Sequence, residues 1–181
     1  MQESRPCLYN VQEAVFDGAD WGVLEHRERF CLVAITHGLS FDLASVQPGA
    51  VTAPRLGAIL DAVPADSPAY REVAYLKAKE EKDRAAGKGF SVPYLTPDSA
   101  RVPTLRKGYH KGGSCDARLM HPTNPDLSRL LTAREHARCK RIPEGLVGGL
   151  NQTTAHELLG QSILFAPFRA LGVALAIALT L

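Results

Sequence analysis

Trp21-Gly22-Val23-Leu24-Glu25-His26-Arg27-Glu28-Arg29-Phe30-Cys31-Leu32-Val33-Ala34-Ile35 joins two unlike halves, and its reading decides the fold. Arg27-Glu28-Arg29 is dense in charge. Phe30 to Ile35 is an unbroken apolar run without Gly or Pro. Such a run, rich in β-branched and aromatic residues, is the pattern of a strand buried on both faces. It would hold the two guanidiniums at its edge on a rigid base. Arginine has several donors, no acceptor and a permanent charge, which suits a carboxylate, a phosphate or a base carbonyl. Arginines at strand ends are also commonly solvated or weakly ion-paired, so the rest of the chain must discriminate.

Upstream, Leu8 to Val11 reads as a strand, and Asp17-Gly18-Ala19-Asp20 is turn chemistry. Two strands so close in sequence are expected to pair antiparallel. Downstream, Pro48, Pro54, Pro64 and Pro68 break the chain repeatedly. Pro54 to Val63 fits one short helix with Pro in its first turn. Ala69 to Ala86 is helical in propensity, and its Lys77–Arg84 charges read as a solvated face. Gly87 to Pro125 is loop-rich. Within it, Thr104-Leu-Arg106-Lys107-Gly-Tyr109-His-Lys111-Gly-Gly-Ser114 combines hydroxyls, basic groups and glycines, a mixture suited to phosphate. Thr132 and Glu135 form a capping-box pattern for a helix to about Lys140, with Arg134, Arg138 and Arg141 on one face. Thr153 or Thr154 is the expected cap of the next helix. Gly160 inside its apolar pattern costs about 1 kcal/mol against Ala, which implies a packing or close-approach reason. Pro167 to Leu179 is nearly all apolar and is expected to pack centrally.

Composition bounds the class. The 181 residues are 45% hydrophobic and 22% charged, ordinary for a globular chain with one domain or one plus a small lobe. Net charge is only +2, but Arg101 to Arg141 carries ten Lys or Arg against three Asp or Glu. That local excess suggests a polyanion contact, with a merely solvated basic face as the alternative. Cys7, Cys31, Cys115 and Cys139 form no CxxC pair, which argues against a zinc site or redox motif. Met1 to Tyr9 has no apolar core, so a reducing, cytoplasmic setting with free thiols is expected. The apolar tail from Ala170 is shorter than the ~20 residues of a membrane span.

Three segments now line up with one family. Trp21 to Arg29, followed by an apolar strand, resembles the Gln-x-Arg-x-Arg segment of DNA cytosine-5 methyltransferases. Arg129-Leu-Leu-Thr-Ala-Arg134-Glu135-His-Ala-Arg138-Cys-Lys-Arg-Ile-Pro143 resembles that family's Arg-x-Leu-Thr-x-Arg-Glu-x-x-Arg segment. Gly160-Gln161-Ser162-Ile163 resembles its Gly-Asn-Ser-Val segment. Gly38 to Ser128 sits where the family keeps its variable target-recognition region. The resemblance implies enzymes that flip a cytosine out of double-stranded DNA. A Cys thiolate attacks the ring, a Glu supports protonation of the ring nitrogen, and carbon-5 takes a methyl group from S-adenosylmethionine. Arg29 would bond the flipped base's carbonyl, and Arg27 would anchor the catalytic loop or a phosphate. Gly160, Gln161 and Ser162 would lie beside the cofactor. Arg134 and its neighbours would brace the recognition lobe. Together with Arg138, Thr104, Arg106, Lys107, Tyr109 and Lys111, Arg134 makes up the expected DNA-contacting set.

The departures are as informative. Glu25 stands where the family has Gln, and Gln161 replaces Asn. No Phe-x-Gly-x-Gly or Glu-Asn-Val segment is present. Pro6-Cys7 is followed by Leu8 rather than Gln, and lies too close to Arg27 to be the nucleophile dipeptide, so Cys7 reads as a buried structural thiol. The expectation is therefore an α/β chain, the C-terminal part of a Rossmann-like methyltransferase. Residues 1–38 would end the catalytic sheet, 39–128 form the recognition lobe, and 129–181 close back on the catalytic domain. Alone it would be inactive, needing an N-terminal half that carries the nucleophile. The alternative is a non-enzymatic DNA-binding module.

Overall fold

The computed structural model describes residues 8–180, so Cys7 lies outside them. Its strands are β1 (Tyr9–Asp17), β2 (Glu28–Thr36), β3 (Arg71–Glu72), β4 (Tyr94–Leu95), β5 (Arg118–Met120) and β6 (Leu127–Arg129). Its α-helices are α1 (Ala74–Ala85), α2 (Ala133–Cys139), α3 (Gln152–Gln161) and α4 (Phe165–Ala178). β1 and β2 pair antiparallel along their whole length, with Val15 opposite Phe30. Asp17 starts the connecting loop, its carboxylate accepting the Ala19 N–H at 3.0 Å, and Gly22 takes the positive φ the loop needs.

The hairpin corrects the expectation of a strand buried on both faces. Phe16, Cys31 and Val33 point inward, while Val11, Val15, Phe30 and Leu32 are 52–62% exposed on the other face. Strand side chains alternate, and among the described residues only the inner face is covered. That cover is α4 with Leu43 and Val46; Phe16 stands edge-on to Trp21 and to Phe168. α4 is less central than its composition suggested. Only Pro167 and Leu171 are buried along it, and Val173, Ile177 and Leu179 are more than half exposed. No single helix among the described residues is long and apolar enough to cross a membrane.

The second sheet has the order β3-β6-β5-β4, with β4 parallel to β5. The Pro54–Val63 stretch is a 3-10 turn over Leu56–Ile59 rather than a helix, and it ends at Leu60, which takes extended backbone. Ala69–Ala86 splits: Arg71–Glu72 pairs with β6, and α1 starts at Ala74. α2 has the capping box read from its sequence. α3 is capped by Asn151, whose side chain accepts the Thr154 N–H at 2.9 Å, one turn earlier than expected. Tyr109 is a core residue. It is fully buried, its hydroxyl donates to the Ala117 carbonyl at 2.7 Å, and it accepts the Leu131 N–H at 2.9 Å. This takes it out of the expected DNA-contacting set.

α2 and α3 meet through buried His136 and His156, whose Nδ1 atoms lie 3.0 Å apart, with both rings edge-on to Tyr109. In such a bond one Nδ1–H donates and the other ring must be neutral, with a bare Nδ1 to accept. Burial holds His136 at about 2 and His156 at about 4, each below the unfolded value near 6.5. As pH falls below 6.5 the unfolded chain takes up protons that the folded chain refuses. Stability is present above that pH and drains away toward pH 4, roughly 2 kcal/mol per histidine by pH 5. Denaturant midpoints at pH 7 and pH 5 should differ accordingly, and a His156→Gln variant should roughly halve the difference. A midpoint equal at both pH values would contradict the neutral pair.

Candidate functional site

Four segments far apart in sequence converge where the hairpin loop enters β2. Residues 23–27 thread between the C-terminus of α2 and the 101–105 strand-like segment. The Leu24 and Glu25 N–H groups donate to the Cys139 carbonyl, and Val102 bridges Glu25 in parallel. Thr104 Oγ1 donates to the His26 carbonyl at 2.7 Å. Arg27 is 7% exposed and donates to the Ser162 carbonyl at 3.0 Å, tying the hairpin to the end of α3. Gly160 faces the 106–107 backbone so closely that an added Cβ would sit 2.2 Å from the Lys107 nitrogen. That close approach is the reason for a glycine inside an apolar helix.

Glu25 sits at the centre of this junction. It is fully buried; its Oε1 accepts the Leu105 N–H at 2.8 Å, and Arg27 approaches at 3.4 Å. Its Oε2 lies 3.0 Å from the equally buried Lys140 ammonium, an ion pair without a well-directed hydrogen bond. Burial pulls Lys140 below the usual lysine value, and Glu25 opposes that. The Glu25 carboxylate thus has two cations beside it. Lys140 carried no signal of its own in the sequence; a charged residue four after His136 on a buried helix face was the only available cue.

Arg29 is different. It is partly exposed and in no ion pair among the described residues; its Nη1 donates only to its neighbour Glu28's carbonyl, at 2.6 Å. Partial burial and nearby Arg27 draw it below the usual arginine value. A charged fork with unused donors, held at the mouth of a rigid strand, can take an acceptor from outside.

The other expected site residues divide. Lys107 and Lys111 are exposed and in no ion pair among the described residues, and Arg106 is held by Asp116 at 2.9 Å. Arg134 and Arg138 donate to Asp61 at 2.7 and 2.8 Å, and Arg138 also grips Glu144. Burial works against Asp61's charge, but Arg134, Thr132 and Arg138 hold its carboxyl at about 2. These two arginines therefore brace α2 against the residues around Asp61, as does the fully buried Arg129–Glu135 pair, whose Oε1 also accepts the Asp61 N–H. Gln161 is exposed, its amide donating to the Glu157 carbonyl at 3.2 Å, and Ser162 Oγ donates to the Leu159 carbonyl. Beside them a shallow cleft of about 250 Å³ is lined by Leu146, Leu158, Ile163 and Phe165. Its lining holds no acidic group for a ribose and no cluster of N–H donors for a carboxylate. These residues do not by themselves form a pocket for S-adenosylmethionine.

No family model matches the chain. It is similar to type II methyltransferases. It is 29% identical over 177 residues to M.NlaX of Neisseria lactamica, covering 95% of this chain and 54% of that one. It is 27% identical over 162 residues to M1.ScrFI of Lactococcus lactis subsp. cremoris, covering 86% and 40%. Among solved structures, the S. pombe Dnmt2 methyltransferase superposes with a TM-score of 0.74 at 19% identity, over 97% of this chain and 59% of its own. The Entamoeba histolytica methyltransferase EhMeth gives 0.63 at 17%, over 92% and 52%. The chain thus spans about half the length of the relatives it matches. The mixed α/β class read from the sequence is the one observed, and the fold matches part of the S. pombe Dnmt2 structure.

Proposed function

We propose that this chain supplies the C-terminal portion of a DNA cytosine-5 methyltransferase: the target-recognition lobe and the contacts to a flipped cytosine. The observation that carries this reading is the junction in which Arg27, Thr104 and the Gly160–Ser162 turn meet around the buried Glu25–Lys140 pair, with Arg29 two residues past Arg27 and its donors largely unused. In this reading Arg29 donates to the extruded base's carbonyl, and Arg27 is a positioning residue that ties β2 to α3. Lys107 and Lys111 meet the DNA backbone. Thr104, Arg106, Arg134 and Arg138 hold the recognition lobe in register, acting on DNA through its placement. S-adenosylmethionine would supply the methyl group, with Gln161 and Ser162 forming one wall of a site completed by another polypeptide segment.

That segment would also carry the nucleophile. The apolar outer face of the hairpin supports its place: Val11, Val15, Phe30 and Leu32 form a contiguous patch on a sheet with cover on one side only. Such patches mark contact surfaces.

Two measurements test the proposal. Labelled S-adenosylmethionine should transfer no methyl group to DNA with the purified chain alone, and should do so once a polypeptide bearing the nucleophile is added. Transfer by the chain alone overturns the division of labour. Arg29→Ala should weaken binding about tenfold on duplexes with a mismatched, easily extruded cytosine. It should change binding to fully paired duplexes far less. An even loss on both kinds of duplex would instead mark Arg29 as a backbone contact and favour a DNA-binding module with no enzymatic role.

A further inference from the structure

Arg118 opens β5 and is 94% buried by residue, since only 6% of it is exposed. Its Nε donates to Ser128 Oγ at 2.9 Å and its Nη2 to the Ser128 carbonyl at 3.3 Å. No carboxylate lies within ion-pair distance of it among the described residues. Arg129, on the adjacent strand β6 and paired with Leu119, is by contrast neutralised by Glu135 through two bonds of 2.7 Å. A buried guanidinium without a counter-ion is costly unless one arrives from outside.

Its surroundings show where an ion would come from. Arg118 lines a cleft of about 610 Å³ between the β3-β6-β5-β4 sheet and α3. The same cleft is lined by Arg71, Lys111, Arg129, His110 and His156, against one carboxylate, Glu72. Arg118 Nη1 makes no hydrogen bond among the described residues. It lies 3.3 Å from where a side chain on Gly112 would begin, so the missing Cβ leaves that nitrogen uncovered. Gly112 sits in left-handed backbone with its carbonyl held by Tyr75 Oη at 3.2 Å, which sets the loop clear of the guanidinium.

We infer that the cleft at Arg118, Lys111 and Arg71 is a phosphate-binding site. The planar fork of Arg118 suits a phosphate oxygen pair. The two exposed cations at the rim, Lys111 and Arg71, match the second charge of a phosphate better than the single charge of a carboxylate. The phosphate has two sources of the same chemistry, a DNA backbone or a free phosphate ester. The site shares Lys111 with the proposed DNA-contacting set, but rests on Arg118 and Arg71, which that reading does not use.

The test measures the unfolding midpoint of the chain with inorganic phosphate, and with acetate or chloride at equal ionic strength. Phosphate alone should raise it by several degrees. Arg118→Met should weaken phosphate binding at least about tenfold, the loss of a charge-assisted bond. If Arg118→Met fails to fold because Ser128 loses its partner, the doubly substituted Lys111→Ala, Arg71→Ala chain, altered only at exposed positions, should show the same loss. A duplex titration separates the sources. If the backbone occupies the cleft, the double variant loses more duplex affinity than Lys111→Ala alone and its salt dependence becomes shallower still. If a free phosphate ester does, the double variant binds duplex as Lys111→Ala does, while phosphate protection is lost. Acetate protecting as well as phosphate, or no protection by either phosphate or duplex, overturns the inference.

Discussion

Gly160→Ala is expected to destabilise the chain by about 3 kcal/mol or more, the upper end of what overpacking costs. The new methyl would lie 2.2 Å from the Lys107 nitrogen, 2.3 Å from the Arg106 carbonyl carbon and 2.4 Å from the Lys107 Cα. All three are backbone atoms, so no side chain can swing away. Either α3 shifts outward or the 106–107 loop does, and both movements pull on the contacts that hold Arg27 to Ser162. Gly172 is the control. It also lies inside a helix, α4, but a Cβ there meets nothing within 4 Å. Gly172→Ala should therefore stabilise by up to about 1 kcal/mol through helix propensity. Urea midpoints of the two variants should move in opposite directions. Movement of both toward stability would mean that the helix-to-loop approach is not as close as described.

The second large effect belongs to Glu25 and Lys140. Glu25→Gln keeps an acceptor for the Leu105 N–H but leaves a buried ammonium beside a neutral amide. Removing one partner of a buried pair costs about 3–5 kcal/mol, whereas replacing both by neutral groups of similar shape is often close to neutral. Lys140 is already drawn toward its neutral form, so deprotonation limits the loss. We expect Glu25→Gln to cost on the order of 3 kcal/mol, and the Glu25→Gln, Lys140→Gln double variant to recover most of it. A double-mutant cycle from denaturant unfolding reads the coupling directly. If the single variant is as stable as the parent, or the double loses the sum of both singles, the pair is not coupled. Duplex binding by the recovered double variant adds a second readout, since Arg29 depends on the same loop for its position.

Much of the hairpin and of α2 was legible locally. The Asp17 turn, the Phe30 run and the Thr132–Glu135 capping box are each written in a few adjacent residues. The exposure of Phe30 and Leu32 was not. An apolar run reports that both faces of a strand need cover, and it does not say which cover lies within the same chain. Tyr109 shows the reverse failure. Its basic, glycine-rich neighbourhood looked like a surface loop, yet the ring fills the core, because burial depends on contacts with Ala117, Leu131, His136 and His156 that no local pattern records. Arg134 and Arg138 read as one helical face; their bonds to Asp61, more than seventy residues away, became visible only once the chain was folded.

The sequence by itself determined the α/β class, the paired strands, the α2 capping box and the presence of segments resembling one family, because these rest on periodicity and on spacings of a few residues. Only the tertiary structure decided what Trp21 to Ile35 is organised around. Glu25 finds Lys140, Arg27 finds Ser162 and Gly160 finds the 106–107 backbone through contacts between residues 53 to 135 positions apart. Charge compensation in a buried site is a property of distance in space, and the order of residues along the chain does not encode it.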